Sequence, residues 1–271
     1  MRITDHAAAR AVLSDPSYVP PPAPSGAPFG TLAWLRSQVS RFASGPVHAE
    51  RRALVEECLS ALDPSALRAA AAIRAALGVE LAEIPARVLG EALGIEDTDA
   101  LVRAVDAAAT GYLSGDGGPE ADAAVATLLV LVGPAGDLPR VVARITVLLQ
   151  AHGATAGLLR NAVARLPAGP ALEAAAPAAR SAPGGSAPDV SAAAGSATAG
   201  RLLLETLRRD PPLLVTRRVD AQGAPVEIDL VAANEGHDEH LTFGHGLRPC
   251  PGAEHAMAIA TGVLETIMEP R

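Results

Sequence analysis

The chain has 271 residues, enough for one large domain or two small ones. Hydrophobic residues make up 49% and aromatic ones only 2%, so Ala, Leu and Val must fill the core, which points to helices. The formal charge is −8, arginine stands in for every lysine, and no basic cluster is present, which excludes nucleic acid as an expected partner.

Taken in order, Met1–Ser14 reads as a short amphipathic helix with Asp5 as its N-cap. Tyr18–Ser44 is rich in Pro and Gly and carries Phe29 and Trp34; its Pro20–Pro28 part excludes a regular helix. Gly45 opens a helix running to about Leu62. On it, His48 and Arg52 are four apart and share a face; taken alone this is a solvated surface, although the arrangement also suits a carboxylate. Asp63-Pro64-Ser65 ends that helix and caps the next. Arg68–Ala76, Ala82–Leu93, Asp99–Leu113 and Glu120–Val132 all carry helical spacing. Leu138–Leu166 is the longest helical pattern, with Pro139 in the first turn. The stretch 167–200 is Ala, Pro, Gly and Ser almost throughout and reads as a flexible linker.

Arg201 then opens a short helix in which Glu205 and Arg208 are placed to pair. Leu213–Ala233 alternates as two or three short strands. The last feature is a Gly- and Pro-rich loop around Cys250, followed by an apolar helix from Gly252 to about Ile267. A helix N-terminus beside a sulfur favours the thiolate. Thiolate ligation of haem iron is one chemistry that wants this arrangement; a buried structural cysteine is the other reading. Cys58 and Cys250 make no disulfide framework, and the sequence shows neither a signal peptide nor an apolar run of about 18 residues. A cytoplasmic protein without membrane association is the expectation.

Phe243-Gly244-His245-Gly246-Leu247-Arg248-Pro249-Cys250-Pro251-Gly252 resembles the haem-binding loop of cytochromes P450, Phe-Gly-x-Gly-x-His/Arg-x-Cys-x-Gly, with every fixed position filled. Other matches follow in family order. Thr4–Pro16 is similar to the B-helix segment, His48 and Arg52 to the C-helix His-x-x-x-Arg, and Ile84–Asp97 to the E helix. Leu148–Asn161 is similar to the I helix, and Glu205, Arg208 and Asp210-Pro211-Pro212 to the K helix and its exit. Arg218, on the strand Leu214–Val219, matches an arginine that reaches a haem propionate.

The resemblance implies a mainly α fold with a small β part: one contracted P450-like haem domain over 1–271, without the family's N-terminal strands and A helix, with an abbreviated roof and the linker 167–200 inside it. It implies haem b with Cys250 as axial thiolate. Phe243, Gly244, His245 and Gly252 belong to the loop, and His48, Arg52, Arg218 and Arg248 serve the propionates. Ala151, Gly153, Ala154 and Thr155 line the distal face. Family members relay protons there through an acid and an alcohol. Without a gap these positions are Gly153 and Ala154; shifted by one they are Ala154 and Thr155, so the acid is missing in either register. The third arginine expected between Glu235 and Thr242 is also missing.

The implied function is oxidation of a small specialised metabolite, by a peroxide-driven or redox-neutral reaction rather than a monooxygenase cycle. The alternative is a non-catalytic haem-binding or scaffold module docking on a partner enzyme; a haem-based gas sensor is a third reading. A redox partner, or a second copy covering an open sheet edge, is a possible companion.

Overall fold

The computed structural model describes residues 1–133, 137–166 and 190–269. Helices dominate, as the composition demands. They are α1 (His6–Ser14), α2 (Leu32–Gln38), α3 (Gly45–Ser60), α4 (Pro64–Ala76), α5 (Ile84–Ala92), α6 (Thr98–Tyr112), α7 (Gly118–Val132), α8 (Leu138–Ala164), α9 (Val190–Arg209), α10 (Leu230–Asn234) and α11 (Ala253–Met268). The caps follow local chemistry. The carboxylate of Asp5 accepts from Ala8 N–H at 2.8 Å, and that of Asp63 from Ser65 N–H at 2.9 Å.

Helix α8 runs through the centre and packs against α3, α5, α6 and α11. By length and composition it could cross a membrane, yet 67% of its most apolar window is buried inside the molecule. Its Ile145, Leu148, Leu158 and Leu159 are fully buried, as expected of a core helix. Helix α11 lies along α4, where Arg68 pairs with Glu265.

Three short strands form the sheet: β1 (Arg2–Ile3), β2 (Val215–Val219) and β3 (Pro225–Asp229), in the order β1-β3-β2. β1 runs parallel to β3 with Ile3 opposite Ile228; β2 runs antiparallel to it with Arg218 opposite Val226. The sheet, α1 and α10 share a small apolar cluster of their own, built on Ile3, Leu13, Val226, Ile228 and Leu241. It is separate from the large cluster of the helical body.

Several expectations are corrected. The first residues are not all helix, because Arg2–Ile3 pairs with β3 before α1 starts. Within the Pro-rich stretch, Thr31 caps a short helix, α2. The expected strand through Asn234 stops at Asp229, whose carboxylate accepts from Val231 and Ala232 N–H, both at 3.1 Å, and starts α10. The expected linker is helical over 190–200: no proline lies there, Ala is the best helix former, and Ala199, Leu203 and Leu207 dock one face. Its remainder, 167–189, lies outside the described residues.

Candidate functional site

The Cys loop is folded by its own backbone. Gly244 N–H donates to Leu241 O at 2.8 Å, and Cys250 N–H to Phe243 O at 2.6 Å. Gly244 and Gly246 have φ of 77° and 63°. A Cβ on Gly244 would lie 2.6 Å from Arg248 O, and one on Gly246 would strike Ser14 Oγ and lie 2.8 Å from Ser14 Cα. Both the left-handed backbone and the close approach therefore require glycine. Phe243 packs on the large cluster and Leu241 in the small one, so the loop spans both. Gly252 precedes α11 as its N-cap, and His245 Nδ1 lies 3.3 Å from Glu239.

The approach to the loop is fixed by Asn234, which is 2% exposed. Its Oδ1 accepts from Leu241 N–H at 2.8 Å, and its Nδ2 donates to Leu207 O at 3.2 Å and Thr242 Oγ1 at 3.1 Å. Thr242 in turn donates to Leu207 O at 2.7 Å. The K-helix pair expected from spacing does not form. Glu205 pairs instead with Arg165 at 3.1 Å and Arg209 at 3.4 Å, and Arg208 with Asp238 at 3.2 Å. The end of α9 is thus tied to the segment before the loop by an acid rather than by the missing arginine. His255 Nε2 donates to Leu59 O at 3.0 Å and Leu62 O at 3.2 Å, capping the end of α3.

Cys250 is exposed yet crowded by protein atoms. This crowding pushes its thiol above the ordinary value, against the opposing pull of Gly252 N–H, Arg52 and Arg41. The expected preference for thiolate is thus present in its causes and outweighed by burial.

Around the sulfur the structure gathers cations. Arg248 donates to Ala43 O at 3.0 Å and to Ser44 Oγ at 3.4 Å. Arg52 pairs with Glu56 at 2.6 Å. Arg218 is nine-tenths buried and donates only to Thr216 Oγ1 at 3.1 Å and Arg217 O at 2.8 Å. Burial, then Arg248 and Arg41, lowers its guanidinium to about 10. His48 is held below the ordinary histidine value by burial first, then by Arg248 and Arg52, so its imidazole is neutral at neutral pH. Among the described residues no carboxylate pairs with Arg218, Arg248 or Arg41. A buried guanidinium without an anion is unfavourable. The cluster therefore calls for one. Sequence reasoning missed Arg41, which sits in a single 3-10 turn, Ser40–Phe42, without any periodic signal.

The residues expected on the distal face are less coherent. His152 is buried and its Nε2 donates to Asp106 of α6 at 3.2 Å. Gly153 is exposed and a Cβ there would meet nothing within 4 Å. Ala151 and Ala154 are half-buried. Thr155 is 1% exposed, and its hydroxyl has no partner. Among the described residues no hydrogen bond or ion pair ties them to the Cys250 cluster; Ala151, Gly153 and Ala154 cannot pass a proton, and the His152 imidazole is engaged with Asp106 instead.

No family model matches the sequence, and no curated protein is similar to it. Solved structures do match. P450BioI in complex with a fatty-acyl acyl carrier protein superposes with a TM-score of 0.69 at 18% identity, over 98% of this chain and 84% of that chain. The fold is that of a cytochrome P450. The thermophilic cytochrome P450 from Sulfolobus tokodaii matches with a TM-score of 0.68 at 17% identity, over 98% of this chain and 85% of that one. CYP154A1 from Streptomyces coelicolor A3(2) matches at 0.67 and 20%, over 98% and 82%. Set in a P450-like fold, the residues present fit a haem: a crowded thiol, an arginine cluster lacking anions, and a loop that only glycine can build.

Proposed function

We propose that this chain is a haem-thiolate oxidoreductase acting on a small specialised metabolite. The observation that carries the reading is the cationic shell beside Cys250, in which Arg218 is buried with no carboxylate. Haem, when bound, supplies an iron made electron-rich by its thiolate, a property that favours O–O cleavage. Cys250 would hold the iron through Sγ. Arg218, Arg248, Arg52 and the neutral His48 would hold the two propionates through charge-assisted hydrogen bonds.

The distal residues refine the reaction class. Gly153 and Ala154 carry no proton, and the Thr155 hydroxyl is buried without a partner. A peroxide-driven or redox-neutral reaction needs no acid–alcohol relay and suits this face better than a monooxygenase cycle. The P450BioI complex supports delivery of the substrate by a partner such as a carrier protein. Both cysteines are free, which suits a reducing cytoplasm, where we place the protein.

The test is spectroscopic. The purified chain is titrated with haemin, reduced with dithionite and exposed to CO. The red-shifted Soret band of thiolate ligation is expected, and its loss in a folded Cys250→Ser variant. A folded wild-type chain that takes up no haem overturns the reading. Haem uptake without turnover, with peroxide or with reductase systems, would assign the chain to the scaffold or sensor class.

A further inference from the structure

Helix α4 covers one face and leaves another bare. Its Leu67 and Ala71 are buried, and the helix lies along α11. On the outer side Ala66, Ile73 and Leu77 are exposed and Ala70 is half-buried. Ile73 is 59% exposed and Leu77 67%. Steps of four, three and four residues set these side chains on one line, the spacing of a helix–helix seam. Leu77 continues the line, since it stays helical at φ −79° and ψ −2° and its N–H donates to Ile73 O at 3.0 Å. The seam itself carries no charge.

The two ends of the seam differ in shape. At Ala66 and Ala70 the surface is hollow, a groove of about 340 Å³ walled by Leu62 on one side and by Val88 and Ala92 of α5 on the other. At Ile73 and Leu77 two large aliphatic side chains stand out into water. One exposed aliphatic residue is ordinary; two in line beside an apolar groove mark a docking face. The seam is its own complement. Turned end over end about a two-fold axis between positions 70 and 73, a second α4 brings its Leu77 to Ala66 and its Ile73 to Ala70, a large side chain against a small one at every contact. A parallel pair would oppose Leu77 to Leu77 and leave the groove unfilled. Charge selects the same arrangement. Asp63 caps the N-terminal end of α4, and Arg74, half-buried beside Glu91 of the groove wall, lies in the last turn. An antiparallel pair sets the acidic end beside the basic one and opposes the helix dipoles favourably; a parallel pair sets like beside like.

We propose that the outer seam of α4 is a self-association face, through which two copies of this chain pair antiparallel, α4 against α4, about a two-fold axis. A single helix stripe about 20 Å long lies at the small end of specific interfaces, so the dimer is weak and reversible, with Kd on the order of 10–100 μM. The proposal does not depend on the haem reading.

The experiment is analytical ultracentrifugation of the full chain over a range from about 1 to 500 μM, which brackets that Kd. The weight-average mass is expected to climb from monomer toward dimer across the range. Ile73→Glu and Leu77→Glu, both at exposed positions, should hold the chain monomeric throughout, with circular dichroism as in wild type. Ala70→Ile should also weaken pairing, because it meets the second copy's large side chain at position 73. Adding Ile73→Ala to Ala70→Ile restores one large residue against one small and should recover the dimer. Wild-type chain that stays monomeric at every concentration overturns the proposal and leaves the seam to a segment of its own chain or to another protein. A dimer that survives both glutamate variants overturns it as well. So does a double variant that stays monomeric where wild type pairs, since that removes the antiparallel register.

Discussion

Cys250 is held as a thiol until something binds it. Burial raises its pKa, and the Gly252 N–H, Arg52 and Arg41 only partly offset this. On the proposed haem-thiolate function, ligation would require the thiolate, so haem uptake would release a proton. Haem affinity should therefore rise with pH, by about tenfold per pH unit while the free thiol stays protonated. Haemin titrations at a series of pH values measure this; a flat profile would rule out thiolate ligation. His48 has the opposite kind of linkage. Its folded pKa lies below the ordinary value of 6.5, through burial first and then Arg248 and Arg52. As pH falls through that value the unfolded chain takes up the proton before the folded one does. The stabilising share of neutral His48 is whole above about 6.5 and is lost on acidification toward its folded value. His240, lowered by burial and then by Arg208, adds in the same direction. Urea midpoints of the haem-free chain should drop from neutral to mildly acidic pH, and drop less in His48→Gln. An unchanged slope in that variant would remove His48 from the account.

At the scale of elements, the approach to the loop is held by Asn234 at the end of α10 together with Leu207 of α9. Asn234 satisfies Leu241 N–H and Leu207 O across a buried gap. Asn234→Ala leaves Leu241 N–H without a partner and Leu207 O with the Thr242 hydroxyl alone, and should cost about 1–3 kcal/mol, read from chemical denaturation. Haem retention should fall with it; a change under about 0.5 kcal/mol would show that water replaces the amide. Much at this scale was legible beforehand. Apolar spacing located α3 to α8, and Asp5 and Asp63 announced their caps, because those signals are local. The pairing of Glu205 was misread since a spacing of three permits a pair but cannot choose among partners, and Arg165 and Asp238 arrive from elsewhere. The start of α9 was hidden because Ala, Gly and Ser suit both a linker and a helix docked through Ala199 and Leu203. His48, Arg52, Arg218 and Arg248 were found through the resemblance. Arg41 was not, since its placement depends on Arg51 and Arg248, residues with no periodic relation to it.

At the scale of the whole molecule, a large helical core and a small sheet-side core meet at the Cys loop. The small cluster buries far less apolar surface, so its residues should open first. Amide exchange is expected to be faster in β1, α1, β2 and β3 than in α6 and α8 for the haem-free chain. Haem should slow both regions together, since the loop touches both. Equal protection of the two regions without haem would show that they unfold as one.

The contacts that seat the loop also set an order of events. Gly246 rests on Ser14, and Arg248 reaches Ala43 across 205 positions of chain. While the chain is being synthesised, Ser14 and Ala43 leave the ribosome long before their counterparts exist. Their seat is completed only once the Cys loop, far later in the chain, has been made. During synthesis the earlier segments thus wait without the surface they are shaped to meet.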